Sequence, residues 1–539
     1  MRTRLMFIFF ACWFVFGTAN SVFCASSPTP EGEVVIAVAS MAREIWTPLD
    51  GSWPEQSPMG MWNEKLIYRG IGKDEKLYGG LAESWKISDD GKTYTFNIRK
   101  GVNFNEGYGP FTANDVLFSF QLCGRKDSLN VNKHIVTDWI SSMEVVNPYV
   151  FKIILKEPNP TFLTMLSDFM PFLMMVSERY YKEVGEKQAM KHPVGTGPFV
   201  FKEHVLGDHL TVEAVNNHWR KTPEFKKITI KIVPEQGSRV SMLKAGEADF
   251  IELSTSNVKE VEDAGFKIIS SPSTSYFSLM FGGQVLKSRD GWDPKVPWAQ
   301  EDKERALKVR KALSLAIDKE EIIKYILKGK ASPLAVHEFA PGGYYTDPAW
   351  KPYPYNPKEA KRLLVEAGYP NGFEQPIIML LCTLAGRAEM PDVGEAVAQY
   401  WEKNLGLKVK RQPIEYATYR DIYSARSPKM KWTTMVLGST PYVEPVIYSS
   451  LAALTTTHLH QMSESIEQDE LVKSCMTEKN PEVRKAKMLK LGQYYYDNYI
   501  CCPIAAKDTI WGASRRVANW YLNSMNGYLH NVEYIVKKK

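Results

Sequence analysis

Chemically armed residues are scarce in this sequence of 539 residues, which has 7 cysteines and 9 histidines. Cys12 and Cys24 fall in the first 25 residues, leaving Cys123, Cys382, Cys475, Cys501 and Cys502, an odd and widely spaced set without C-x-x-C. That excludes a disulfide framework and predicts mostly buried free thiols with at most one optional bridge. His337-Glu338 lacks the second histidine of a zinc protease, and no G-x-S-x-G occurs. Gly91-Lys92-Thr93 looks like the end of a phosphate loop, but the glycine needed five positions earlier is Lys86. His458 and His460 would share a face of an extended segment, yet two ligands do not complete a metal site. The reading is therefore no enzyme, no cofactor and no metal. One-sided charge is lacking too: 67 Lys and Arg face 61 Asp and Glu, scattered along the chain, which argues against a nucleic-acid partner. Internal repeats and low-complexity tracts are absent.

What is there begins with Arg2 and Arg4, an apolar run over residues 5–16, and small residues at Ala19, Ser21, Ala25 and Ser26. This three-part plan predicts a signal peptide over residues 1–25 and an exported mature protein. The run is shorter than the roughly 20 residues that cross a bilayer, and no later stretch is long and apolar enough. Phe23 before Cys24 stands where lipid attachment wants a small residue, so lipid anchoring at Cys24 is not expected. At this length, with 44% hydrophobic residues, two or three domains are expected.

Periodicity then gives the elements. Tyr94, Phe96 and Ile98 alternate with polar residues after the Asp89-Asp90-Gly91 turn, which predicts a hairpin with one wet face. Thr112, three before Asp115 and ahead of Val116, Leu117 and Phe118, predicts a capped helix start. Residues 34–38 form an apolar run that fits a buried first strand. After a polar linker over residues 288–302, Asp318 with Glu321 and Asn356 before Pro357 open helices. Residues 377–382 are apolar without alternation, which predicts a parallel strand covered on both faces. A helix over 393–404, a strand over 407–409, a helix over 416–425 and a strand over 432–437 follow, an alternation that makes this region α/β.

Four strings carry a resemblance. The first is LAESW, DDGKTYTF, IRKGVNF and TANDVLFSF within residues 81–120; the second is GTGPF at 195–199. The third joins Trp219-Arg220 to LKAGEAD at 243–249, and the fourth is NPKEAKRLLVEAGYPNGF at 356–373. On these the chain resembles the family 5 extracytoplasmic solute-binding proteins of ABC importers for peptides, nickel, opines or oligosaccharides. The resemblance implies an α/β, periplasmic-binding-protein-like clamshell of class II (cluster C) type, two lobes built from three domains. Residues 33–61, 191–285 and 503–539 would form a discontinuous lobe I core, 62–190 its satellite, and 286–502 lobe II. It also implies a monomer that hands a peptide, opine or oligosaccharide to a membrane permease. A secreted hydrolase and a non-transporting sensor are the alternatives from other classes.

Candidate ligand contacts follow. Arg387 lies just past the carboxyl end of the 377–382 strand, where ligands settle in open α/β sheets, and a guanidinium there can grip a carboxylate bidentately. In the dipeptide-binding branch the matching arginine binds the peptide carboxylate. That branch also has an aspartate for the ligand ammonium inside W-T-G-D-x-x-D-P, but residues 437–445 here read LGSTPYVEP. With Glu444-Pro445 on the second D-P, the ammonium position falls on Pro441. A buried ammonium without a counter-charge is costly, so the expected ligand is an anionic or polar solute held by Arg387, with aromatic packing in place of the clamp. Trp46, Trp432, Tyr442 and Tyr345, beside Tyr344, are the candidate rings. Met41, Ser439 and Thr440 lie on loops expected to line the same cleft.

Overall fold

The computed structural model describes residues 29–538 apart from 42–43, 50–56, 71–75, 131, 168–172, 385, 425, 443, 457–461, 523–528 and 530. The expected leader with Cys24, and the His458 and His460 pair, lie outside the described residues.

Apolar runs without alternation make the centre of the molecule. Glu33–Val38 lies parallel to Lys227–Ile232 on one side and Phe250–Glu252 on the other, with Val34, Ile36 and Val38 fully buried. In the other half, Ile377–Leu381 lies parallel to both Val409–Pro413 and Thr433–Ser439, and the last is buried at every position. A strand flanked on both edges and covered on both faces has no wet side to alternate toward. These strands share one eleven-stranded mixed sheet.

Two antiparallel strands of 15 and 12 residues, Lys267–Phe281 and Cys502–Ala513, run through both halves. Their outer parts pair Lys267 with Ala513 and Ser271 with Thr509 in the first lobe, whereas Tyr276 and Phe281 pair with Ser439 and Thr434 in the second. Between them the register slips from Ser271 to Ser275. Ser273 takes φ 52° there, its N–H donates to Asp508 Oδ1 at 2.9 Å, and Thr509 N–H donates to Thr274 Oγ1 at 2.9 Å. Bulges bend and twist a ladder, so this is where the sheet turns from one lobe into the other. The bulge lies inside the two strands, whereas the expected 285/286 and 502/503 limits fall near their ends. Sequence punctuation marks where these strands end, whereas the change of neighbours occurs in their middle.

The satellite is a four-stranded antiparallel sheet ordered Ala82–Ile87, Thr93–Ile98, Val150–Leu155, Ile140–Asn147. Tyr94, Phe96 and Ile98 point inward as their alternation requires. Helix Ala113–Gly124 starts with the expected Thr112 and Asp115 capping box. In the second lobe, helices Lys303–Leu315, Pro357–Glu366 and Met390–Leu405 bury their apolar faces in one core with the strands; Asn356 caps the second by accepting from Glu359 N–H at 3.1 Å. Arg220 fastens the first lobe by donating to Glu64 Oε2 at 3.0 Å and Glu533 Oε1 at 2.8 Å. Among the described residues all five cysteines are buried and unpaired, and no helix is long and apolar enough to cross a membrane.

Candidate functional site

Arg387 is held in a turn between the strand Ile377–Leu381 and the helix Met390–Leu405, its N–H donating to Leu384 O at 2.9 Å. Its side chain crosses the backbone of Gly438: a Cβ at that position would collide with Arg387 Cδ and come within 3.0 Å of the Phe277 ring. Glycine inside a strand commonly marks such a close approach. Past Gly438, Arg387 Nε donates to Ser275 Oγ and Nη2 to Thr440 Oγ1, both at 2.7 Å. Burial pulls the guanidinium down to about 10, partly offset by Tyr416, Glu338, Tyr442 and Tyr448 around it, so it is a cation at neutral pH. A hydroxyl both donates and accepts, so Ser275 and Thr440 can turn their hydrogens toward an incoming carboxylate while Arg387 keeps its charge on it. Among the described residues no group holds Nη1, while Nε, one prong of the expected bidentate fork, is committed to Ser275.

A second polar chain runs on the neighbouring strand position. Ser439 Oγ donates to Glu338, whose carboxyl is 1% exposed and whose backbone takes φ 67°. His337 Nδ1 is 2.8 Å from Ser278 Oγ, and its Nε2 lies 3.2 Å from Glu338 Oε1. Burial pushes Glu338 up to about 8 and His337 down to about 3, so at neutral pH both are uncharged. Glu338 Oε2 and His337 Nε2 have no hydrogen-bond partner among the described residues, a cost of about 1–3 kcal/mol per atom. Ser278, His337 and Glu338 have the residue types of a hydrolytic triad, but the serine is fully buried and a neutral carboxyl cannot stabilise an imidazolium.

Ser439, Thr440, Tyr442 and Arg387 therefore come together at the carboxyl end of Thr433–Ser439. Tyr442 lies 5.9 Å from the Tyr448 ring, which packs edge-on at 5.1 Å against His337. Tyr345 is half-buried, with its Oη donating to Glu444 Oε1 at 3.4 Å and its ring 5.0 Å from Tyr344. Three expected contacts sit elsewhere. Trp432 precedes the same strand at its opposite end and packs edge-on to Trp298 at 6.0 Å, inside the second-lobe core. Trp46 is 2% exposed and wedged between Trp62 at 5.7 Å and His204 at 5.4 Å, and Met41 is fully buried in the same first-lobe core. Large apolar side chains beside a strand end gain more from that packing than from a wet cleft.

Sequence reasoning missed Ser275, Glu338 with His337, and the tyrosines at 416 and 448. Gly438, between Leu437 and Ser439 in an otherwise side-chain-bearing strand, was the one local signal that a bulky group crosses there.

Comparison with known proteins adds the following. Residues 76–453 match the family described as bacterial extracellular solute-binding proteins, family 5 middle. Heme-binding protein A of Haemophilus influenzae is 30% identical over 403 residues, 69% of this chain and 68% of that protein. The glutathione-binding protein GsiB of Salmonella paratyphi A is 31% identical over 370 residues, 66% and 65% of the two chains. Among solved structures, the periplasmic binding protein DppA from Helicobacter pylori, in complex with peptide STSA, superposes with a TM-score of 0.80 over 94% of this chain and 98% of that one, at 21% identity. The dipeptide binding protein from Pseudoalteromonas, in complex with Met-Leu, gives 0.80 over 94% and 100%, at 20% identity. At such identities the likeness is one of fold.

Proposed function

The chain belongs to the family 5 bacterial extracellular solute-binding proteins, and from that premise we propose that it is the periplasmic capture subunit of an ABC importer for small peptide-like solutes that carry a carboxylate. The single observation behind the ligand class is Arg387, laid across Gly438 and steadied by Ser275 and Thr440 at the ends of the second-lobe strands. Tyr442, Ser439 and Tyr345 complete that wall as flanking contacts. The protein acts as a monomer, converts nothing it binds, and passes the solute to a membrane permease. Closure of the lobes about the bulged strands is the capture step, because a ligand that touches both walls stabilises the closed state more than the open one.

Relatives named for glutathione and heme, and fold neighbours holding Met-Leu or a tetrapeptide, supply the probes. The test is thermal unfolding of the purified protein with glutathione, Met-Leu, Ser-Thr-Ser-Ala and heme, beside an opine and an oligosaccharide. A rise in melting temperature with a carboxylate-bearing peptide, lost in Arg387→Ala, is the expected result. A rise with the oligosaccharide alone, retained in that variant, would overturn the ligand class.

A further inference from the structure

The loop that carries Arg387 belongs to the second lobe, yet its flanks are fastened to the first. Gly386, immediately before Arg387 and at φ 74°, donates its N–H to Glu252 Oε1 at 2.9 Å. The other oxygen of the same carboxylate accepts from Ala39 N–H, also at 2.9 Å. Ala39 follows the first strand, Glu33–Val38, and Glu252 ends the short strand Phe250–Glu252 beside it. One carboxylate, 7% exposed, thereby joins a strand-end loop of each lobe.

A second carboxylate repeats the arrangement two residues after Arg387. Glu389 Oε1 accepts from Thr255 N–H at 3.0 Å, and Oε2 lies 3.2 Å from Lys507 Nζ on the crossing strand. Thr255 Oγ1 in turn donates to Ile326 O of the second lobe at 3.2 Å. Charge-assisted bonds from backbone amides to a desolvated carboxylate are directional and about twice as strong as neutral ones. If the lobes part, Gly386 and Thr255 lose their acceptors together, so the bonds act as one set.

We propose that Glu252 and Glu389 are positioning residues that couple closure of the lobes to the placement of Arg387: Glu252 fixes the amide just before the arginine from across the hinge, and Glu389 fixes the turn just after it. The first lobe thus sets the ligand contact of the second without touching the ligand. This rests on the reading of Arg387 as a ligand contact only for its last step, since the coupling itself is measurable without ligand.

The experiment is amide hydrogen exchange, followed by mass spectrometry, on the full chain with no ligand added, for the wild type, Glu252→Ala, Glu252→Gln and Glu389→Gln. In Glu252→Ala, exchange speeds up by about tenfold in segments covering both 36–41 and 382–390, with a smaller rise in Glu252→Gln. In Glu389→Gln the 382–390 and 253–256 segments respond together. Acceleration confined to 36–41, with 382–390 at the wild-type rate, would make Glu252 a brace of the first lobe alone and overturn the proposal. If circular dichroism shows that Glu252→Ala does not fold, the two glutamine variants carry the same decision. Affinity for glutathione, measured on the same variants by calorimetry, falls about tenfold if the coupled loop is what presents Arg387. If glutathione fails to bind the wild type, the ligand reading is at fault and the exchange result still decides the coupling.

Discussion

Each lobe holds a half-buried arginine near a glutamate and uses the pair in the opposite way. In the first lobe Arg220 meets its acids directly: Nε donates to both oxygens of Glu64, at 3.1 and 3.0 Å, and Nη2 to Glu533. In the second, hydroxyls stand between the guanidinium and an uncharged carboxyl, Arg387 ending on Ser275 and Thr440 and Glu338 on Ser439. A direct ion pair is a finished bond that joins the satellite entry, the core and the chain end. A cation that rests on hydroxyls keeps bonding capacity for something that arrives later. On the proposed reading the difference separates a fastener from a receptor, although composition alone makes the two clusters look alike.

The largest effect expected on this comparison comes from the fastener. Arg220→Ala leaves Glu64 and Glu533 buried without their cation, and removing one partner of a buried pair costs about 3–5 kcal/mol, read as a drop in the denaturant midpoint. Next comes the receptor: Arg387→Ala lowers affinity for a carboxylate-bearing peptide by about 2–3 kcal/mol while the unfolding free energy falls by less than about 1 kcal/mol, measured by calorimetry and chemical unfolding. An unfolding cost as large as that of Arg220→Ala would erase the distinction. Gly438→Ala, which pushes Arg387 aside without removing it, weakens the same binding by about tenfold.

The smallest effect is a pH slope. Glu338 stands at about 8 in the folded protein against an ordinary value of 4.5, so the native state holds a proton that the unfolded chain has released. Its contribution is fully present below the unfolded value and drains away as pH rises toward 8, by at most about 1.4 kcal/mol per pH unit. His337, depressed to about 3, acts in the opposite sense between 3 and 6.5, so the window from 6.5 to 8 isolates the acid. Glu338→Gln flattens the fall of melting temperature across that window; an unchanged slope would mean that Glu338 does not titrate there.

Much of the architecture was legible because it is written in periodicity. Alternation at Tyr94, Phe96 and Ile98 placed the hairpin, an unbroken apolar run at 377–381 placed a strand between two parallel neighbours, and Thr112, Asp318 and Asn356 marked real helix starts. Position in the topology was enough to name Arg387, Ser439, Thr440 and Tyr442, which the fold brings together at one strand end. Trp46, Met41 and Trp432 were drawn in because they adjoin strand ends, but a ring's direction depends on what packs beside it, which is not local information. Glu338 and Ser275 reach the site from elements far away in the chain, and no spacing rule links residues 112 positions apart such as 275 and 387.

The strand Cys502–Ala513 lies in the interior of the sheet, between Lys267–Phe281 and Phe250–Glu252. While it is missing, the ladders on either side of it both stand open, and the central stretch of each half has an unsatisfied edge. A chain stopped at residue 500 should yield neither half in native form.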